Sequence, residues 1–175
     1  MRYVALLRGI NVGGNTMVKM ADVKSLFQEL GFTGIESYIN SGNLAFNDKK
    51  RSESAIAGRI EKALKEKFDR DIRVMVREQT EIRNVLDNNP FKGKFDSHKQ
   101  MHVLFMQENM PKDKEELLTA QNRSSEMFAV RGREIYALLK DGVADSLLGK
   151  GYIDKKLKVP VTARNWRTVE KIAQL

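Results

Sequence analysis

Ile35-Glu36-Ser37-Tyr38-Ile39-Asn40-Ser41-Gly42-Asn43-Leu44-Ala45-Phe46 is the stretch on which the fold turns. Asn40-Ser41-Gly42-Asn43 is a cluster of turn formers between two strand-like runs. Ile35 to Ile39 therefore pairs with Leu44 to Phe46 as a hairpin. Upstream, Tyr3 to Leu7 is a short apolar run that meets Gly9, Gly13 and Gly14, which predicts a buried strand running into a loop. Met20, Val23, Leu26, Phe27 and Leu30 then recur at helical spacing, and Gly31 supplies the stop. Downstream, Ser52 suits the N-cap of a helix carrying Ile56, Ile60, Ala63, Leu64 and Phe68. Ile72, Val74 and Val76 alternate with polar residues, as a half-buried strand does. The order is strand-helix-strand-strand-helix-strand, the split βαβ arrangement of ferredoxin-like folds.

The second half partly repeats this order. A helix with Ile82, Val85 and Leu86 ends at Asn88-Asn89-Pro90, because proline cannot continue the ladder. Met101 to Met106 is expected as a strand, Lys112 to Ala120 as a short helix, and Glu126 to Val130 as a strand. Gly132-Arg133 turns the chain into a returning strand, Glu134 to Leu139. Val143 to Leu148 is expected as a short helix and Gly149 to Pro160 as irregular, lysine-rich chain. A last helix is expected with Thr162 as cap and Trp166, Val169, Ile172 and Ala173 as its stripe. The expectation is an α+β protein with a ferredoxin-like subdomain over 1–78. A second α+β subdomain over 79–175, with a C-terminal helix, reads as a diverged duplication.

The chain has 175 residues, 41% hydrophobic and 31% charged, enough for a core and a solvated surface. No apolar run approaches the ~20 residues of a bilayer span, so no membrane role is expected. No export signal is evident at the N-terminus. With no cysteine, disulfides, thiolate chemistry and zinc–thiolate sites are excluded, and a cytoplasmic location is the default. The net charge is +8, and the last 27 residues hold 7 Lys/Arg against 2 Asp/Glu. Such a tail either attracts phosphates or simply maintains solubility.

The ferredoxin-like order has a functional consequence. The first two strands run parallel, with the third between them and antiparallel to both. The loop leaving the first strand and the hairpin turn then emerge at the same end of the sheet. This brings Arg8-Gly9-Ile10-Asn11-Val12-Gly13-Gly14 beside Asn40-Ser41-Gly42-Asn43. Glycine lets backbone amides approach a ligand closely, and successive amides build anion-binding nests. Arg8 offers a planar fork for phosphate or carboxylate, and Lys19 lies at the start of the following helix. The candidate ligand-binding set is Arg8, Asn11, Gly13, Gly14, Lys19, Ser41, Gly42 and Asn43, completed by Arg164 and Asn165 of the last helix. The glycine spacing matches neither a dinucleotide fingerprint nor a P-loop. The bland alternative is that glycine and asparagine here only make tight turns.

Other candidates are weaker. His98 and His102 are four apart, but the second falls on an expected strand, and no third ligand accompanies them. They read as an exposed loop histidine and a strand-edge histidine. No metal or other cofactor is expected. No nucleophile elbow or catalytic base is evident. Trp166 is expected to pack, as are Phe27, Phe32, Phe91, Phe95 and the methionines. The strands lack the aromatic pattern of RNA-recognition modules, which weakens a nucleic-acid reading.

Five segments, Leu6–Gly14, Ser37–Phe46, Asn88–Phe91, Gly132–Tyr136 and Val161–Val169, resemble the marks of the bacterial domain-of-unknown-function family sixteen-ninety-seven. The resemblance spans essentially the whole chain. It implies a small cytoplasmic α+β protein and supplies no activity, substrate or catalytic residue. The leading functional expectation is binding of an anionic small molecule, with a nucleic-acid phosphate as the less supported partner. An enzyme acting on a phosphorylated or carboxylated metabolite, and a purely structural role for these motifs, stand as alternatives.

Overall fold

The structure is a computed structural model that describes residues 1–14 and 17–175. The chain divides into two compact units, Met1–Asn84 with Lys171–Leu175, and Val85–Glu170.

The first unit begins with β1 (Arg2–Leu7), α1 (Met20–Glu29), β2 (Thr33–Tyr38) and β3 (Asn43–Asn47). It continues with α2 (Glu53–Phe68), β4 (Val74–Glu78) and the start of α3 (Gln79–Asp87). The sheet order is β2-β3-β1-β4, with every neighbouring pair antiparallel. This is the ferredoxin-like arrangement that the element order predicts. Tyr3, Ala5 and Leu7 point from β1 toward the helices, where they join Phe27, Phe32, Phe46, Ile56, Ile60 and Leu64 in one core. Phe32 and Phe46 lie 4.4 Å apart between ring centroids, and Phe27 meets Phe46 edge-on at 5.2 Å. The alternate residues Val4 and Leu6 are fully buried too. Because both faces of β1 are covered, it is a continuous apolar run rather than an alternating one.

Local signals act where they are written. Gly31 takes φ +81°, and the amide of Phe32 returns to the Phe27 carbonyl at 3.1 Å, closing α1. The Ser52 hydroxyl accepts the Ala55 amide at 3.3 Å and starts α2.

The second unit holds β5 (Met101–Phe105), α4 (Lys112–Thr119), β6 (Glu126–Arg131), β7 (Glu134–Leu139) and β8 (Thr162–Asn165), and the start of α5 (Trp166–Ile172). Its sheet order is β6-β7-β5-β8, the first unit's order with each strand replaced by its counterpart. The register repeats as well. Val4 lies between Ala45 and Arg77, and Val103 lies between Tyr136 and Arg164. Both arginines are buried, and each donates to the carbonyl of the residue before it, Val76 at 2.8 Å and Ala163 at 2.9 Å. In each unit the fourth strand runs directly into a helix. The two units are a structural duplication.

Three local expectations are corrected. Val143 to Leu148 forms turns instead of a helix. The Ser146 hydroxyl donates to the Val143 carbonyl at 2.6 Å, and the Glu126 carboxylate accepts the Leu147 amide at 2.5 Å. Side-chain bonds thus replace the helical ladder. Gly149 to Pro160 is not irregular. It contains a π-helical turn, Tyr152–Lys156, closed by the Leu157 amide on the Tyr152 carbonyl at 3.0 Å. Ile153, Leu157 and Val159 are buried, whereas Lys155 and Lys156 are exposed. Thr162 does not cap the last helix. Val159, Val161 and Ala163 alternate as strand residues do, Thr162–Asn165 pairs with β5, and the Asn165 side chain accepts the Thr168 amide at 2.9 Å.

Candidate functional site

β1 ends in bonds to both neighbours: the Leu7 amide donates to the Gly42 carbonyl at 2.8 Å, and the Arg8 amide to the Arg73 carbonyl at 2.9 Å. Beyond Arg8 the backbone turns repeatedly into the left-handed region. Gly9, Asn11, Gly13 and Gly14 have φ of +66°, +54°, +61° and +76°, while Ile10 and Val12 do not take positive φ. Alternation of this kind builds backbone nests. Gly9, Gly13 and Gly14 face open space: a side-chain carbon added at any of them meets nothing within 4 Å. Among the described residues, the amides of Gly9, Gly13 and Gly14 make no backbone hydrogen bond.

Asn11 holds this loop to the hairpin. Its side-chain amide donates to the Val18 carbonyl at 2.9 Å and the Asn40 carbonyl at 2.7 Å, and its oxygen accepts the Val18 amide at 2.8 Å. Both ends of the side chain are engaged, and αL geometry is one that asparagine tolerates. The hairpin is fastened from its own side. Asn43 is fully buried, and its amide donates to the Tyr38 carbonyl at 3.0 Å and the Ser41 hydroxyl at 2.9 Å. Gly42 has φ +81°, and a side-chain carbon there would stand 2.6 Å from Leu7 Cβ and 2.9 Å from Ile10 Cδ1. Only glycine lets the turn settle against the fully buried Ile10.

The sequence-derived residues thus separate into groups. Arg8, Asn11, Gly13, Gly14, Lys19, Ser41, Gly42 and Asn43 all lie in the first unit, in the loop leaving β1, at the start of α1, in the β2–β3 turn and, for Asn43, at the first position of β3. Asn11, Gly42 and Asn43 carry the architecture of these loops. Gly13, Gly14 and Lys19 are exposed, and Arg8 and Ser41 are half-buried. Arg164 and Asn165 belong to the second unit and lie on β8, not in the first turns of a helix. The Arg164 guanidinium donates to the Thr162 hydroxyl at 2.7 Å, and burial pulls its pKa down to about 10. Asn165 caps α5.

His102 sits on β5, an inner strand between β7 and β8, rather than at a sheet edge. Burial, with a smaller contribution from the charge of His98, lowers its pKa from 6.5 to about 4. No group of three or more metal-ligating side chains occurs among the described residues. Trp166 packs edge-on against Phe95 at 5.8 Å.

Two features escape inspection of the sequence. Val12 and Ile39 are 64% and 52% exposed, and they adjoin the hydrogen-bonded Asn11 and Asn40; Met17, in the same loop as Val12, is 75% exposed. Ile39 also has φ +49°, a costly conformation for a β-branched residue. The signal for these exposed residues was three apolar side chains among turn formers. The second feature is the basic run Asp48-Lys49-Lys50-Arg51 before α2, whose partner Arg59 is brought to it only by folding.

The chain belongs to the family of proteins of unknown function DUF1697, whose model matches residues 1–136. Among solved structures it is similar to the conserved bacterial protein SP0830 from Streptococcus pneumoniae. The two are 27% identical, with a TM-score of 0.75 over 99% of this chain and 97% of that one. No curated protein matches the chain. No helix among the described residues is long and apolar enough to cross a membrane.

Proposed function

We propose that this is a cytoplasmic binding protein whose Arg8–Gly14 and Asn40–Asn43 surface contacts an oxyanion. The oxyanion is carried by a small molecule or is a phosphate of nucleic acid. One observation carries the reading: the 2.7 Å bond from Asn11 to the Asn40 carbonyl joins the two segments while leaving Gly9, Gly13 and Gly14 open. Exposed glycine amides beside Arg8 and Lys19 supply hydrogen-bond donors and positive charge without bulk. Ser41 adds a hydroxyl. Arg164 and Asn165 enter only as residues to be tested by substitution. For Asn11, Gly42 and Asn43 the geometry supports a second role, that of fastening the loops.

Titration with inorganic phosphate and with a single-stranded oligonucleotide, at several salt concentrations, tests this reading. If Arg8 and Lys19 contact two phosphates of a single strand, log K against log salt has a slope of about −1.4. Affinity independent of salt rules out the nucleic-acid form. Absence of binding by either probe at low salt rules out the reading. Lys19→Ala should weaken binding without changing the melting temperature.

A further inference from the structure

The opposite end of the same sheet carries a second basic feature. β3 runs from Asn43 to Asn47, a distance of about 13 Å, so Asn47 and Asp48 lie far from the hairpin turn. Here a cleft of about 490 Å³ opens between the end of α1, the start of β2 and the segment leading into α2. That volume is within the range of small-molecule sites. Arg51, Arg59, Lys49 and Asp48 line it, together with Leu30 and Asn47.

The cations are held in place. The Arg51 guanidinium reaches Asp48 Oδ2 at 2.7 Å, and Arg59 reaches the same oxygen at 3.4 Å. Arg59 also donates to the Leu30 carbonyl at 2.8 Å and lies 5.1 Å from the centre of the Phe32 ring. The backbone beneath is pinned as well. The Tyr3 hydroxyl donates to the Arg51 carbonyl at 3.0 Å and accepts its amide at 3.1 Å. The N-terminal ammonium donates to the Asp48 carbonyl at 2.7 Å. The Asp48 side chain is 9% exposed, whereas Arg51 and Arg59 remain 28% and 34% exposed. The carboxylate is thus underneath and the guanidiniums face outward.

Charge argues for an occupant. Asp48 is one carboxylate among Arg51, Arg59 and Lys49, which leaves an excess of two positive charges on the cleft. Arg51 engages Asp48 through one nitrogen, and a guanidinium has five N–H donors. Ordered guanidiniums with unused donors match the oxygens of a phosphate.

We propose that this cleft binds the phosphate of a small phosphorylated molecule, with Arg51 and Arg59 as its ligands and Asp48 as the group that positions them. The site is separate from the loop surface. The test is a titration of the full chain with inorganic phosphate at constant ionic strength, followed by backbone amide chemical shifts. Saturable shifts at Gly31, Thr33, Lys49 and Arg51 are expected. Affinity should fall about tenfold in Arg51→Gln and increase in Asp48→Asn, which removes the negative charge that competes with phosphate while keeping a side-chain oxygen to hold the two guanidiniums. The monoanion acetate should bind more weakly than phosphate. Each variant's remaining spectrum checks that it folds, and Arg51→Lys replaces Arg51→Gln if that variant does not, with the same expected weakening. Non-saturating shifts, or an affinity unchanged by Arg51→Gln, overturn the proposal. So does an Asp48→Asn variant that folds and binds no more tightly. Shifts confined to Gly9–Gly14 and Lys19 also overturn it, while supporting the loop surface; the two proposals therefore fail separately.

Discussion

Glycines in the two neighbouring loops have opposite surroundings. Gly42 combines φ +81° with a packed environment, whereas Gly13 combines φ +61° with open space. Gly42→Ala adds a steric clash to the cost of a left-handed alanine and should destabilise the protein by about 3 kcal/mol. Gly13→Ala carries only the conformational term, about 1 kcal/mol. Chemical denaturation distinguishes them; equal costs would contradict the packing described for Gly42. His102 provides a pH-dependent case. Its folded pKa of about 4 lies below its ordinary 6.5, so only the unfolded chain takes up a proton between these values. Its contribution is constant above pH 6.5 and turns against folding as pH falls toward 4. The loss approaches about 3 kcal/mol when the full shift is realised. Thermal melts from pH 7 to 4 should show a steep decline that flattens in His102→Gln. A decline of equal steepness in that variant would assign the effect elsewhere.

Among the elements, the strands and long helices follow their sequence patterns, and the deviations lie where side chains compete with the backbone. Ser146 and Glu126 convert an expected helix over Val143–Leu148 into turns. Glu126 is 3% exposed and accepts the Leu147 amide at 2.5 Å. Glu126→Ala leaves that amide unpaired and should cost about 2–3 kcal/mol. Amide hydrogen exchange should accelerate locally over 143–149; protection unchanged there would show that the turns hold themselves. The π-helical turn at Tyr152–Lys156 was hidden by composition, because its lysines dominate the sequence while Ile153 and Leu157 alone report burial.

For the molecule as a whole, the far ends of the chain meet in the first unit. Gln79 donates to the Ile172 carbonyl at 2.9 Å, Arg83 to that of Ala173 at 3.3 Å, and Arg2 to that of Leu175 at 2.9 Å. Ile172 is fully buried. Deleting residues 171–175 should destabilise the first unit by about 3 kcal/mol or more, through lost burial and unpaired donors. Hydrogen exchange should rise in β1 and α3, despite their distance along the chain from the deletion. Unchanged exchange there would refute this account.

The order of the first six elements, the helix stop at Gly31, the helix start at Ser52 and the placing of the Gly9–Gly14 loop beside the Asn40–Asn43 turn were legible in the amino-acid sequence. These follow from local periodicity and capping, and from the strand order that such an element sequence adopts. It also suggested the duplication, which the matching sheet order and register then established. The tertiary structure alone decided the roles of the individual residues. Asparagines and glycines that read alike as ligand donors became fasteners at Asn11, Gly42 and Asn43 and open backbone at Gly13 and Gly14. The reason is that a polar side chain's role depends on which backbone groups folding leaves unpaired nearby. It likewise decided that Arg51 and Arg59 share Asp48, because a through-space ion pair has no periodicity to mark it along the chain.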